Sequence, residues 1–271
     1  MPSPPPRSDA ADLVAWYSEM GIDVALDEEP VDRFAEPPPK APPPPDAPRA
    51  RPVAPPPPGR APASVPPSDE TTREARTTAR SAKTLDELRT ALDGFEGCNL
   101  RLTATQLVFA DGTPGSRVML IGEGPGRDED IQGLPFVGRS GQLLDRMLKA
   151  IGLDRGSVYI ANIVPWRPPG NRRPTPQETA VCRPFIERQI ELADPDFLVL
   201  LGGAAASELL DSPEGILKMR GRWREYDTGK RRIRAMPTLH PAYLLRQPLH
   251  KRLAWRDLLA LKEAIDAEAA T

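Results

Sequence analysis

From residue 84 onward, apolar positions follow two alternating rhythms. Four short, nearly continuous apolar runs lie at 117–122 (RVMLIG), 157–163, 197–202 (FLVLLG) and 231–239. Such runs read as buried strands. Between them the apolar residues return every three or four positions, as on one face of a helix. Leu85, Leu88 and Leu92 predict a helix over 84–94, and Leu143, Leu144, Met147, Leu148 and Ile151 predict one over 140–153. Thr175, Pro176 and Glu178 form a capping-box start to the next helix, with proline at the first helical position. Further helices are expected after the FLVLLG run through Leu210, and over about 249–267. Strands alternating with helices imply a parallel sheet covered on both faces. Ligands of such sheets gather at the carboxyl ends of the strands. Gly122, Asn162, Gly202 and His240 all fall there.

Upstream the rhythm is lost. Of the 35 prolines in the 271 residues, 21 lie in residues 1–67, too many for a packed core. The pattern predicts three regions: an acidic segment over 1–36, a Pro-rich disordered linker over 37–83, and one domain over 84–271. Within the first, residues 8–21 read as a short amphipathic helix with Leu13, Trp16, Tyr17 and Met20 on one face. Three readings stay open for it: packing on the domain, docking on a protein partner behind a long tether, or covering a basic face of the domain.

The formal net charge of −2 averages two opposite regions. Residues 8–36 hold nine acidic residues against Arg33 alone, whereas residues 216–256 hold twelve Lys/Arg against Glu225 and Asp227. The second region reads as an electrostatic footprint for nucleic acid. The two cysteines, Cys98 and Cys182, stand far apart without metal-ligand spacing, which fits a reducing cytoplasm. No apolar run is long enough for a membrane span, and the start of the chain has no apolar signal core, so a soluble, cytoplasmic protein is expected.

Three segments carry candidate chemistry. GEGPGRDED over 122–130 follows a strand. Its glycines, Gly122 and Gly124 among them, allow close backbone approach to a ligand. It has neither the Gly-Lys-Ser/Thr of a phosphate loop nor the spacing of a dinucleotide site. It does hold Glu123, and PFVG over 135–138 follows. Asn162 begins NIVPWRPPGNRR. Its side-chain amide sets a donor beside an acceptor, as the edge of a nucleobase does, although an asparagine there also serves as a turn residue. Arg167, Arg172 and Arg173 in that loop read either as phosphate contacts or as solubilising charge. HPAYLLR over 240–246 holds one of only two histidines. An imidazole at a strand end can hydrogen-bond an anion developing on a leaving group. Leu244 and Leu245 read as core or as a wedge into a base stack.

Taken together, GEGPGRDED, GLPFVGRSGQLLDRML, NIVPWRPPGNRRP, LLGGAAA and HPAYLLR resemble the uracil-DNA glycosylase superfamily, most closely its bacterial and archaeal family 4, over about residues 85–265. The resemblance implies a three-layer α/β/α sandwich with a short, mostly parallel central sheet. It implies a hydrolase of base-excision repair that flips uracil out of DNA and cleaves its N-glycosidic bond. Glu123 would place or polarise water, Phe136 would stack on the base, Asn162 would read its edge, Gly122 and Gly124 would also bind the base, and His240 would stabilise the departing anion. Leu244 would fill the gap in the duplex, with Arg246 and the three loop arginines on DNA. Family 4 usually holds a four-iron, four-sulfur cluster on four cysteines. The corresponding positions here are Phe95, Cys98, Trp166 and Cys182, from which we expect no cluster and no other cofactor. Those two replacements also motivate an alternative, a catalytically degenerate DNA-binding scaffold. A glycosylase for other deaminated bases is a third reading.

Overall fold

The computed structural model describes residues 69–269. The acidic segment, the helix expected over 8–21 and any protein partner for it lie outside the described residues. In chain order the main elements are α1 (Asp69–Ser81), α2 (Leu85–Asp93), β1 (Asp111–Gly112), β2 (Val118–Gly122), α3 (Arg127–Gln132), α4 (Arg139–Ala150), β3 (Tyr159–Asn162), α5 (Pro176–Ala193), β4 (Phe197–Leu201), α6 (Gly203–Leu209), α7 (Ile216–Met219), β5 (Arg224–Asp227), β6 (Arg232–Thr238), α8 (Pro241–Arg246) and α9 (Lys251–Ala269).

The six strands form one sheet in the order β1-β3-β2-β4-β6-β5. The four central strands run parallel, and the two edge strands are antiparallel to their neighbours. The period-2 alternation of each central strand divides its side chains between two cores. Met119, Ile121, Tyr159, Ala161, Leu198 and Leu200 face one side, with α1, α2, α5 and α6. Val118, Leu120, Ile160, Phe197, Val199 and Leu201 face the other, with α4, α8 and α9. This is the three-layer α/β/α arrangement.

The four strong strand signals and the long helices all form, and Thr175 caps α5 with Glu178 completing the box. Two strands gave no apolar signal. β1 has two residues, and only Tyr226 of β5 turns inward. The expected linker end at residue 83 needs correction. α1 lies inside that range, with Ala75 and Ala79 buried against the core. Arg188 of α5 donates to the Ala82 carbonyl just beyond it. Two small alanines one turn apart make a contact face too narrow for the hydrophobic pattern to register. Among the described residues no helix is long and apolar enough to cross a membrane.

Candidate active site

The carboxyl ends of β2, β3, β4 and β6 open into one cleft of about 1060 Å³. Gly122 and Asn162 are register partners at the ends of β2 and β3. The chains then stay paired one step further, through Ile163 N–H to the Gly122 carbonyl and Val164 N–H to that of Glu123. Glu123 therefore leaves the sheet at a fixed point. A Cβ on Gly122 would stand 2.5 Å from Asn162 Oδ1 and 2.6 Å from the Phe136 ring. Only a hydrogen at that position lets the amide and the ring meet over the strand end. Asn162 is buried, and its Oδ1 has no hydrogen-bond partner. An orphaned buried acceptor costs about 1–3 kcal/mol, a cost that a ligand donating to it would remove.

Phe136 is held from several sides. Its backbone is in the left-handed region at φ 55°, uncommon for a large residue. Arg155 donates to the carbonyls of Pro135 and Phe136 and pairs with Asp111 and Asp145, which binds this loop to β1 and α4. The buried Glu129 carboxylate accepts from the N–H groups of Gly126, Val137 and Gly138 at 3.0–3.1 Å. It joins the glycine-rich turn to the Phe136 loop. Gly141 sits so close that a Cβ there would reach 1.7 Å from the Phe136 carbonyl oxygen. Sequence reasoning missed Glu129, Gly141 and Arg155. Their one trace was Glu129, the third residue of a helix capped at Gly126, which reads as capping.

His240 stacks on Phe136, with ring centroids 5.4 Å apart. It caps α8: its Nδ1 accepts the Ala242 N–H at 3.1 Å. Burial, followed by the nearby Arg246 charge, lowers its pKa to about 4. The ring is therefore neutral at pH 7, and with Nδ1 accepting, its proton sits on Nε2. Burial also raises the Glu123 pKa above the ordinary carboxylate value, opposed by the Arg173 guanidinium. Glu123, Gly124, Phe136, Asn162, Arg172, Arg173, His240 and Arg246 all line the cleft.

Three residues expected on DNA are engaged within the fold. Leu244 is 1% exposed and belongs to the core under α8, while its neighbour Leu245 is 38% exposed. Successive helical residues point about 100° apart, so a Leu-Leu pair puts one side chain in and one out. Arg172 is clasped by both oxygens of Glu178 at 2.6 and 2.8 Å. Arg167 is bound to Asn171 at 2.6 Å.

On the opposite core, Cys98 and Cys182 are buried with their sulfurs 3.8 Å apart. Phe95 and Trp166 are buried in the same cluster and supply no ligand atom. The four positions thus offer two thiols, half of an all-cysteine set.

The model of the Uracil DNA glycosylase superfamily matches residues 109–259. The type-4 uracil-DNA glycosylase of Thermotoga maritima is 42% identical over 174 residues, covering 63% of this chain and 89% of the relative. Those of Archaeoglobus fulgidus and Saccharolobus solfataricus are each 36% identical, covering 85% and 89% of the relatives. These type-4 relatives overturn the expectation of no cofactor, because the iron–sulfur cluster is a property of their class. By family model and by relatives alike, this chain belongs to the uracil-DNA glycosylase superfamily.

Proposed function

We propose that the cleft excises uracil from DNA by hydrolysis, with the chemistry divided among Glu123, Asn162, Phe136 and His240. The carrying observation is the orphaned Asn162 Oδ1, buried beside the Phe136 ring. Uracil presents N3–H and O4 side by side. Asn162 Oδ1 accepts from N3–H and its amide nitrogen donates to O4. Cytosine reverses both groups, leaving two buried mismatches. Discrimination on the order of 10⁴ follows from unpaired buried polar groups of this kind. The Phe136 face takes the flipped ring and offsets part of the few kcal/mol that extrusion costs.

The C1′–N1 bond breaks heterolytically. Its electron pair leaves on uracil, and C1′ becomes oxocarbenium-like. The Nε2–H of neutral His240 donates to the uracil O2, where negative charge collects. Water adds to C1′ on the face away from the departing uracil, and the Glu123 carboxylate orients it and takes its proton, later released to solvent. Uracil takes up a solvent proton.

A labelled single strand bearing one uracil tests the reading. The native chain should release uracil and leave an abasic site. Glu123→Ala and Asn162→Ala should lower single-turnover release by about 10²-fold or more, on the scale of losing one transition-state hydrogen bond. Folded native protein that releases no uracil from any context would refute it.

A further inference from the structure

The twelve cations of residues 216–256 do not act as one patch. Arg220, Arg224, Arg231, Arg232 and Arg234 each pair with a carboxylate, and Lys230 donates to a backbone carbonyl. Four of the cations left over fall within residues 246–256: Arg246, Lys251, Arg252 and Arg256. That run contains no acidic residue. All four are exposed, and none belongs to an ion pair among the described residues.

The same run exposes large apolar side chains. Leu249 is 83% exposed and Trp255 is 42% exposed, followed by Leu259 at 40%. Lys251, Trp255 and Leu259 are spaced by four, as are Arg252 and Arg256, so they share one face over the first two turns of α9. Folding stability does not account for this face. Cations in a first helical turn oppose the helix dipole, and a solvated indole forgoes its burial. The face follows directly in sequence on the edge of the cleft. Arg246 lines it, and the chain runs from α8 through the turn Pro248–His250 directly into α9. Tyr243, another cleft residue, holds that turn by a 2.7 Å hydrogen bond to His250.

We propose that this face of α9 carries the single-stranded flank of the substrate, with one unpaired base stacked on Trp255 and the neighbouring phosphates on Arg252 and Arg256. Base–aromatic stacking between backbone-tracking cations is the general means of holding single strands without reading their sequence. The assignment rests on the uracil-excision reading for its choice of polyanion.

The test compares a strand of about twenty nucleotides with one of about four, each bearing one uracil, the shorter confined to the cleft. Trp255→Ala should raise the KM for the long strand about five-fold or more, leave its single-turnover rate at saturation unchanged, and leave the short strand unaffected. Trp255→Phe should retain most of the affinity. Arg252→Gln with Arg256→Gln should flatten the salt dependence of long-strand binding by about one to two log units per log unit of salt. Equal losses on both lengths, or none on either, would overturn the proposal. So would an equal loss on blunt duplex, where no flanking base is free to stack. A shift in sedimentation from dimer to monomer in Trp255→Ala, without a change in DNA affinity, would assign the face to a second copy and overturn it too. Binding of uracil-free strands, read by fluorescence polarisation, tests the surface even where the native chain releases no uracil, so the two readings fail separately.

Discussion

The imidazole of His240 has two tasks at once. Nδ1 caps the start of α8 by accepting the Ala242 N–H, which leaves the proton on Nε2 of a ring that lines the cleft. Burial lowers the ring's pKa to about 4, whereas an unfolded histidine titrates near ~6.5. Between these values the unfolded chain binds more protons than the folded one, so this contribution to stability is complete above about 6.5 and is lost as pH falls towards 4. In denaturant titrations the native protein should therefore lose stability over that window more steeply than His240→Gln. Identical slopes would show that the ring is not held neutral. Glu123 titrates in the other sense. Burial raises its pKa, so the acid limb of the excision rate should lie above the ordinary carboxylate range. Much of this was legible beforehand: a histidine at a strand end, a carboxylate in a glycine turn, an amide at the next strand end. The tautomer was not, because it depends on a backbone N–H whose position only the folded helix start defines. Nor was the fate of Leu244, since two adjacent leucines give no sign of which one turns inward.

At the level of elements, the Phe136 loop depends on partners distant in sequence. Arg155 reaches it from beyond α4, and Gly141 lies beneath it. Gly141 gives opposite predictions by local and tertiary reasoning. As an interior helical residue it should gain up to about 1 kcal/mol on change to alanine. As a neighbour of the Phe136 carbonyl it should lose about 1–3 kcal/mol through overpacking, because backbone rather than a flexible side chain stands in the way. The second effect should win. Gly141→Ala should melt lower than the native protein and bind uracil-containing strands more weakly, and a raised melting temperature would contradict the packing. The strand-and-helix rhythm predicted where α4 runs. It could not reveal this contact, since a glycine in a helical pattern looks only like a weak helix former.

For the molecule as a whole, composition set the start of the domain at residue 84, whereas α1 already packs on the core through Ala75 and Ala79. The proline-rich region was legible, but α1 was not, because its buried face consists of Ala75 and Ala79. The difference can be tested by truncation. Removing residues 1–68 should leave melting temperature and uracil release nearly unchanged. Removing residues 1–81 also strips α1 from the core it shares with α5, and melting should fall by several degrees, at about 2–4 °C per kcal/mol for a domain of this size. Equal melting temperatures would restore the linker boundary at 83. Charge shows the same limit. The 216–256 stretch reads as one basic block in sequence, yet the fold pairs five of its arginines with carboxylates, four of which lie outside the stretch.

The cap at the start of α8 also bounds which bases the cleft can release. An imidazole with one nitrogen committed to a backbone amide cannot pass a proton from one side to the other. It acts as a fixed dipole, not as a relay. Uracil departs as a stable anion and asks no more than that. Adenine and guanine must gain a proton before they part from the sugar, which is more than a neutral hydrogen-bond donor supplies, so under the proposed reading normal purines should stay in place in the uracil-release assay.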